Sequence, residues 1–355
     1  MKIILILFTL FLSSLILVKQ YEYKPTVSGV STEKIATPTL IPLSISKILE
    51  NNYHIFQTFN NCGPAALSMT LSYYGIDKNQ EELGQSLRPY QINGGLNDDK
   101  SVNLDELANK SSEYNLVPFH RPNGTIELIK QFISYDIPII TRSRLSEDED
   151  IGHYRVVKGY DDATGEIIQD DSLQGPNLRY SYQQFLNLWQ VFNYEYLVLV
   201  PFDQVEIARI IMRENSDLIT AWKNAVVNSQ KELDSNPENI YSRFNLSVAL
   251  YHAGDFKRSV SEFESVENNL PFRTLWYQIE PIQAYYELGN FQKVFDITEK
   301  IFNDQNAAFS EMYIIRGEIY KKQGNTEAAK KELEKAVFYN VNLRSAQEML
   351  LSLSR

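Results

Sequence analysis

The chain has 355 residues, of which 43% are hydrophobic and 22% charged, so a wholly disordered chain is excluded. The formal net charge of −11 disfavours binding to nucleic-acid phosphates, and no basic patch in the sequence offsets it. Because Cys62 is its single cysteine, the chain can form neither an intrachain disulfide nor a multi-cysteine metal site. A chain of this length is typical of two or three domains.

The N-terminal segment has the pattern of a targeting signal. A charged start at Lys2 precedes a mostly apolar run over residues 3–18, which is the order found in a signal peptide. No small-residue cleavage site follows, so an uncleaved membrane anchor is an open alternative. Either interpretation of residues 1–20 predicts that the rest of the chain is extracytoplasmic, secreted or tethered to the membrane. Residues 21–45 lack periodicity and are predicted to be a linker.

Residues 46–202 mix helix and strand patterns and are predicted to form an α+β domain. A helix is expected to open near Pro64 and to stop at Gly75, and Thr125 is expected to cap a second helix. The elements predicted after it are a strand over 137–145, a hairpin of strands over 154–160 and 166–169, a helix over 181–189 and a strand over 194–200.

Cys62 stands at the start of the first predicted helix. The amide groups and the dipole of a helix N-terminus stabilise a thiolate and lower its pKa, so the position suits a nucleophile. Gln57 lies five residues upstream, where its side-chain amide and the backbone N–H of Cys62 can form an oxyanion hole. A lone cysteine is more commonly a small buried hydrophobic residue, and that alternative stays open.

His153 is the histidine whose setting suits a general base, because it opens an alternating strand that would hold the imidazole rigidly. His54 and His120 have no comparable setting in the sequence, and His252 lies in the helical C-terminal part. A catalytic imidazole needs a third group to orient it, and Asp170 and Asp171 lie within reach on the partner strand. Strand alternation puts only one of them on the face of His153, and the unknown register leaves the choice open.

Residues 203–355 are predicted to form an all-α array of helical pairs. The dipeptides Gly254–Asp255, Gly289–Asn290 and Gly324–Asn325 recur every 35 residues, each between two helical patterns. This part resembles tetratricopeptide repeats, clearest over residues 237–340, whose units are helical hairpins of about 34 residues. Pro281 interrupts one helix pattern, and residues 205–236 are a candidate for a degenerate fourth unit. Such arrays present a concave surface to protein partners.

Three motifs of the middle part follow one another in the order seen in a known family. They are residues 57–66 around Cys62, residues 152–161 around His153, and Asp171–Ser172 followed by Gly175–Pro176. Over residues 46–202 the set resembles the C-thirty-nine-like peptidases. These are papain-like cysteine enzymes named after the double-glycine peptidases that process bacteriocin leaders.

The resemblance implies a role for each of four residues. Cys62 would be the nucleophile, His153 the general base, Asp171 the group that orients His153, and Gln57 the oxyanion-hole donor. The sequence after the aspartate pair favours Asp171 over Asp170, although many relatives have a proline where this chain has serine.

The implied reaction is hydrolysis of a peptide amide bond through a thioester, and it requires no metal or organic cofactor. The substrate would be a peptide or protein, and the repeats would bind a protein partner. Two alternatives stay open, because fold and catalytic residues do not fix the reaction. One is an acyltransferase or deamidase acting with the same residues. The other is a non-catalytic interaction module based on the repeats.

Overall fold

The computed structural model describes residues 40–90, 102–304 and 306–353, which belong to one compact unit. The predicted signal or anchor at residues 1–20 and most of the predicted linker lie outside the described residues. Within the described ranges, every helix is too short or too polar to cross a membrane.

The first half of the described chain contains a seven-stranded antiparallel sheet. Its strands are β1 (Ser46–Ile48), β2 (Val117–Arg121), β3 (Ile139–Arg144), β4 (Gly152–Asp161), β5 (Glu166–Asp171), β6 (Gly175–Ser181) and β7 (Tyr196–Val200). The spatial order is β2-β7-β3-β4-β5-β6, and the short β1 pairs with the far end of β4. The helices of this half are α1 (Cys62–Ser72), α2 (Gln80–Leu87), α3 (Leu104–Ser111), α4 (Ile126–Ser134) and α5 (Tyr182–Gln190), and α6 (Val205–Met212) follows the last strand.

Both faces of the sheet are covered, which explains why β7 is apolar along its whole length instead of alternating. Leu197 and Leu199 face the core beneath α1, α2 and α3. Tyr196, Val198 and Val200 face the core beneath α4, α5 and α6. Strand β4 divides its residues in the same way, with Tyr154 on the α1 side.

The second half of the described chain consists of helices arranged as successive hairpins. They are α7 (Leu218–Ser235), α8 (Ile240–His252), α9 (Phe256–Glu264), α10 (Thr274–Tyr277), α11 (Glu280–Glu287), α12 (Phe291–Asn303), α13 (Ser310–Lys322), α14 (Thr326–Tyr339) and α15 (Arg344–Leu353). Gly254, Gly289 and Gly324 join the helices of three pairs with φ angles of 83°, 73° and 76°. A residue with a Cβ atom is strained in this left-handed conformation, which is why glycine recurs there.

The predicted fold class, an α+β domain followed by an all-α repeat array, is confirmed. The predicted hairpin is β4–β5, and Thr125 caps α4 by accepting a hydrogen bond from the backbone of Leu128. The predicted interruption at Pro281 corresponds to the break between α10 and α11. Helix α1 ends at Ser72, earlier than predicted, and the chain then turns through Gly75.

The predicted fourth repeat unit forms only in part. Helix α7 packs against α8, as a repeat helix would. Helix α6 instead packs against α4, and its residues Ala208, Ile211 and Met212 belong to the same core as the strands. The apolar face of α6 is therefore buried in the core of the α+β part and not in the repeat array.

The helical array contacts the sheet domain at separate places. Arg142 of β3 donates a hydrogen bond to the carbonyl of Tyr277 at 2.9 Å, and Arg273 pairs with Asp150 at 2.6 Å. Farther along the array, Arg88 at the end of α2 pairs with Glu311 of α13 at 2.9 Å. The array is thus fixed to the α+β part through charged groups as well as apolar contacts.

Candidate active site

Cys62 is the first residue of α1 and is 4% exposed. The helix start approaches β4 closely at Gly63, where an added methyl group would lie 3.4 Å from ring carbons of Tyr154. The start of the helix therefore lies against the strand at Tyr154. Because Tyr154 follows His153 directly, this contact brings Cys62 to the same end of β4 as His153.

His153 and Asp171 form a buried hydrogen bond. The imidazole Nε2 donates to Oδ1 of Asp171 at 3.0 Å, and both side chains are at most 1% exposed. Strand pairing explains the partnership, since Asp171 lies opposite Arg155, which shares a strand face with His153. Asp170 pairs with Val156 on the other face and binds Lys158.

Arg155 holds the second oxygen of the Asp171 carboxylate. Its Nε donates to Oδ2 at 2.7 Å, and its other guanidinium nitrogens donate to Ser143 Oγ at 2.7 Å and to the carbonyl of Leu145 at 2.7 Å. The backbone N–H groups of the two residues after Ser172 also donate to Asp171, at 2.7 and 2.9 Å. The carboxylate is therefore fixed by four donors.

These contacts set the charge of the pair. Burial opposes ionisation of Asp171, yet the hydrogen bond from His153 and the positive charges of His153 and Arg155 hold the pKa of Asp171 below its usual value. Burial lowers the pKa of His153, and the nearby Asp171 only partly opposes this effect. The carboxylate therefore stays charged, which suits it to orient the imidazole and to stabilise an imidazolium.

Gln57 is hydrogen-bonded to Ser172, the residue that follows Asp171. Its backbone N–H donates to the carbonyl of Ser172 at 2.9 Å, and the Ser172 hydroxyl donates to Gln57 Oε1 at 2.7 Å. Nearby, Nε2 of His54 donates to the carbonyl of Asp171 at 3.0 Å. The segment before α1 is thus bonded to the end of β5, and Gln57 lies at the same end of the sheet as His153 and Asp171.

Sequence reasoning missed three residues around this site. Arg155 could have been found from strand alternation, because it lies two positions after His153 on the same face. The contacts of Ser172 and His54 join segments far apart in sequence, so no local pattern indicates them.

His120, for which the sequence indicates no setting comparable to that of His153, lies between two carboxylates. Its ring nitrogens contact Asp105 at 2.6 Å and Glu195 at 3.3 Å. Burial would lower the pKa of His120, but the two carboxylates raise it to about 9. His120 lies on β2, which β7 and β3 separate from β4, so it forms a different charged cluster. In the described ranges, no three potential ligands among His, Cys, Asp and Glu converge on a metal position.

The α+β sheet domain and the helical pairs together define a protein that joins an α+β domain to a helical repeat array. Residues 48–197 match the model of the Peptidase_C39 like family, and residues 310–337 match the tetratricopeptide repeat model. The first match identifies this part of the chain as a cysteine peptidase domain, a hydrolase. The resemblance found in the sequence is thereby confirmed for both parts.

Solved structures with similarity to the chain include two peptidases. One is described as a C39-like peptidase from Bacillus anthracis, with 18% identity and a TM-score of 0.37 over 44% of this chain and 97% of that chain. The other is the peptidase domain of Streptococcus ComA, a bi-functional ABC transporter involved in quorum sensing. It has 18% identity and a TM-score of 0.33 over 44% of this chain and 98% of that chain.

A third similar structure is a tetratricopeptide repeat protein from Parabacteroides merdae. It has 18% identity and a TM-score of 0.33 over 42% of this chain and 56% of that chain. A comparison with curated proteins gave no significant match.

Proposed function

We propose that the protein is a cysteine peptidase in which Cys62 is the nucleophile, His153 exchanges its proton, Asp171 orients His153, and Gln57 binds the oxyanion. The observation that carries this proposal is the buried hydrogen bond between His153 and Asp171 at 3.0 Å. It lies at the end of β4 against which α1 begins at Cys62, and an imidazole oriented by a carboxylate is the group that can activate a cysteine nucleophile.

The hydrogen bond between His153 and Asp171 indicates which imidazole nitrogen takes part in the proposed reaction. Nε2 of His153 is bonded to Asp171, so proton exchange with the thiol runs through Nδ1. The Cys62 thiolate attacks an amide carbonyl, and the Gln57 side chain and the Cys62 backbone N–H stabilise the oxyanion. His153 then protonates the leaving amine, and water hydrolyses the thioester to release the acid and the free thiol.

The burial of the site supports an extended peptide as substrate. Cys62 is 4% exposed and His153 is 1% exposed, so the surface of a folded protein cannot reach the sulfur. The substrate we propose is therefore a single extended segment, such as an exposed tail or an unfolded stretch. We place the enzyme outside the cytoplasm on the basis of the apolar pattern at residues 3–18, and cell fractionation with an antibody tests this placement.

Thiol labelling and peptide cleavage test the catalytic assignment. At pH 7, iodoacetamide is expected to label the wild type at Cys62 roughly 10–100 times faster than His153→Ala, because the imidazole promotes the thiolate. Cys62→Ala is the labelling control. Incubation with a peptide library and mass spectrometry should show cleavage products for the wild type and none for Cys62→Ala.

Two results would overturn the peptidase assignment. Mass shifts of intact peptides that depend on Cys62, without chain cleavage, would indicate acyl transfer or deamidation. A Cys62 thiol that reacts at the same rate in the wild type and in His153→Ala would indicate a domain without a catalytic pair.

A further inference from the structure

The contact between Ser172 and Gln57 has a consequence for catalysis. We propose that Ser172 is a positioning residue that fixes the orientation of the Gln57 amide, so that its N–H groups face the oxyanion. The inference rests on the proposed function, because it requires Gln57 to be the oxyanion donor.

Two hydrogen bonds join Ser172 to Gln57. The Ser172 hydroxyl donates to Oε1 at 2.7 Å, while the Ser172 carbonyl accepts the backbone N–H of Gln57 at 2.9 Å. Oxygen and nitrogen lie on opposite sides of a planar amide, so a bond to Oε1 directs the N–H groups away from Ser172. The terminal torsion of glutamine is broad and roughly two-fold, so without this bond the amide can turn its acceptor toward the substrate.

Ser172 is itself held firmly. It is fully buried, and it follows Asp171, whose carboxylate is bonded to His153 and Arg155 and whose carbonyl accepts from His54. The hydroxyl that orients the oxyanion donor and the carboxylate that orients the base therefore come from adjacent residues. A single rigid segment aligns both halves of the site.

The test compares two reactions of the same thiol in the full chain. Iodoacetamide alkylates the thiolate without forming an oxyanion, whereas p-nitrophenyl acetate acylates it through a tetrahedral oxyanion. Ser172→Ala is expected to lower the rate of acylation about tenfold and to leave the rate of alkylation unchanged. Ser172→Thr and Ser172→Val match each other in shape, so the difference between them isolates the hydroxyl. The threonine variant should acylate faster than the valine variant.

A double-mutant comparison shows whether Ser172 acts through Gln57. Once Gln57→Ala has removed the amide, adding Ser172→Ala should slow acylation by less than about twofold. The inference would be overturned if the ratio of the acylation rate to the alkylation rate were the same in the wild type, Ser172→Ala and Ser172→Val. It would also be overturned if the loss of acylation rate in the double variant equalled the product of the losses in the two single variants. If the wild type and Cys62→Ala consumed p-nitrophenyl acetate equally, the proposed function itself would fail.

Discussion

At the residue scale, the Asp171 carboxylate links the local electrostatics to stability. Its pKa lies below its ordinary value because the hydrogen bond from His153 and two positive charges outweigh burial. Such a group stabilises the fold at pH values above its unfolded pKa, and this contribution is lost as the pH falls toward the folded pKa. We therefore expect the contribution of Asp171 to the free energy of unfolding to be complete near neutral pH and to be lost only as the pH falls below the ordinary pKa of an aspartate.

Replacing Arg155 tests how this carboxylate is held. Arg155→Met is expected to lower kcat/KM for a cleaved library peptide by roughly 10–100-fold, because Asp171 loses the donor to Oδ2. The variant should also raise the pKa of His153, because it removes the guanidinium charge that disfavours the imidazolium. An NMR titration of His153 measures this change.

Arg155→Lys serves as the matched control for charge. It should keep the pKa of His153 near that of the wild type while restoring only part of the activity, because an ammonium cannot reproduce the fork of bonds made by arginine. Unchanged activity in Arg155→Met would contradict the positioning role.

At the element scale, the repeat hairpins depend on glycines in the left-handed conformation. Gly324 has a φ of 76° and nothing within 4 Å of an added Cβ, so a substitution there meets backbone strain and no clash. Gly324→Val is expected to lower the free energy of unfolding by about 1–2 kcal/mol, and Gly324→Asn by less, because asparagine tolerates this conformation. Urea unfolding measures the difference. Equal losses for the two variants would show that backbone conformation is not the cause.

At the scale of the whole molecule, Arg88 connects the two parts of the fold. It is almost fully buried and pairs with Glu106 on α3 and with Glu311 on α13. Arg88→Met is expected to lower the free energy of unfolding by about 3 kcal/mol, since it removes the cation that both carboxylates contact.

An exposed ion pair provides the control for Arg88. Lys331 and Glu327 lie one turn apart on the surface of α14, so Lys331→Met should leave the urea midpoint unchanged. If both variants shifted the midpoint equally, the junction between the sheet domain and the array would not depend on the buried charge.

The sequence by itself determined the features that depend on neighbouring residues. Pro64 and the apolar run after it indicated a helix near Cys62, Thr125 indicated a helix start, and the recurring glycines indicated the hairpins of the array. Each of these signals acts within one or two turns of chain, through capping, backbone conformation or periodicity. The motif order around Cys62 and His153 likewise indicated the peptidase family that the comparison found.

Only the tertiary structure decided the contacts between distant segments. The family motif favoured Asp171 over Asp170, but strand alternation left the choice open until the register placed Asp171 on the face of His153. The path before α1 brought Gln57 to Ser172. Packing assigned α6 to the core of the α+β part instead of the repeats. The first outcome depends on strand register, because a slip of one residue moves every side chain of a strand to the other face of the sheet. The others depend on burial to which several elements contribute at once. A local pattern in the sequence cannot carry that information.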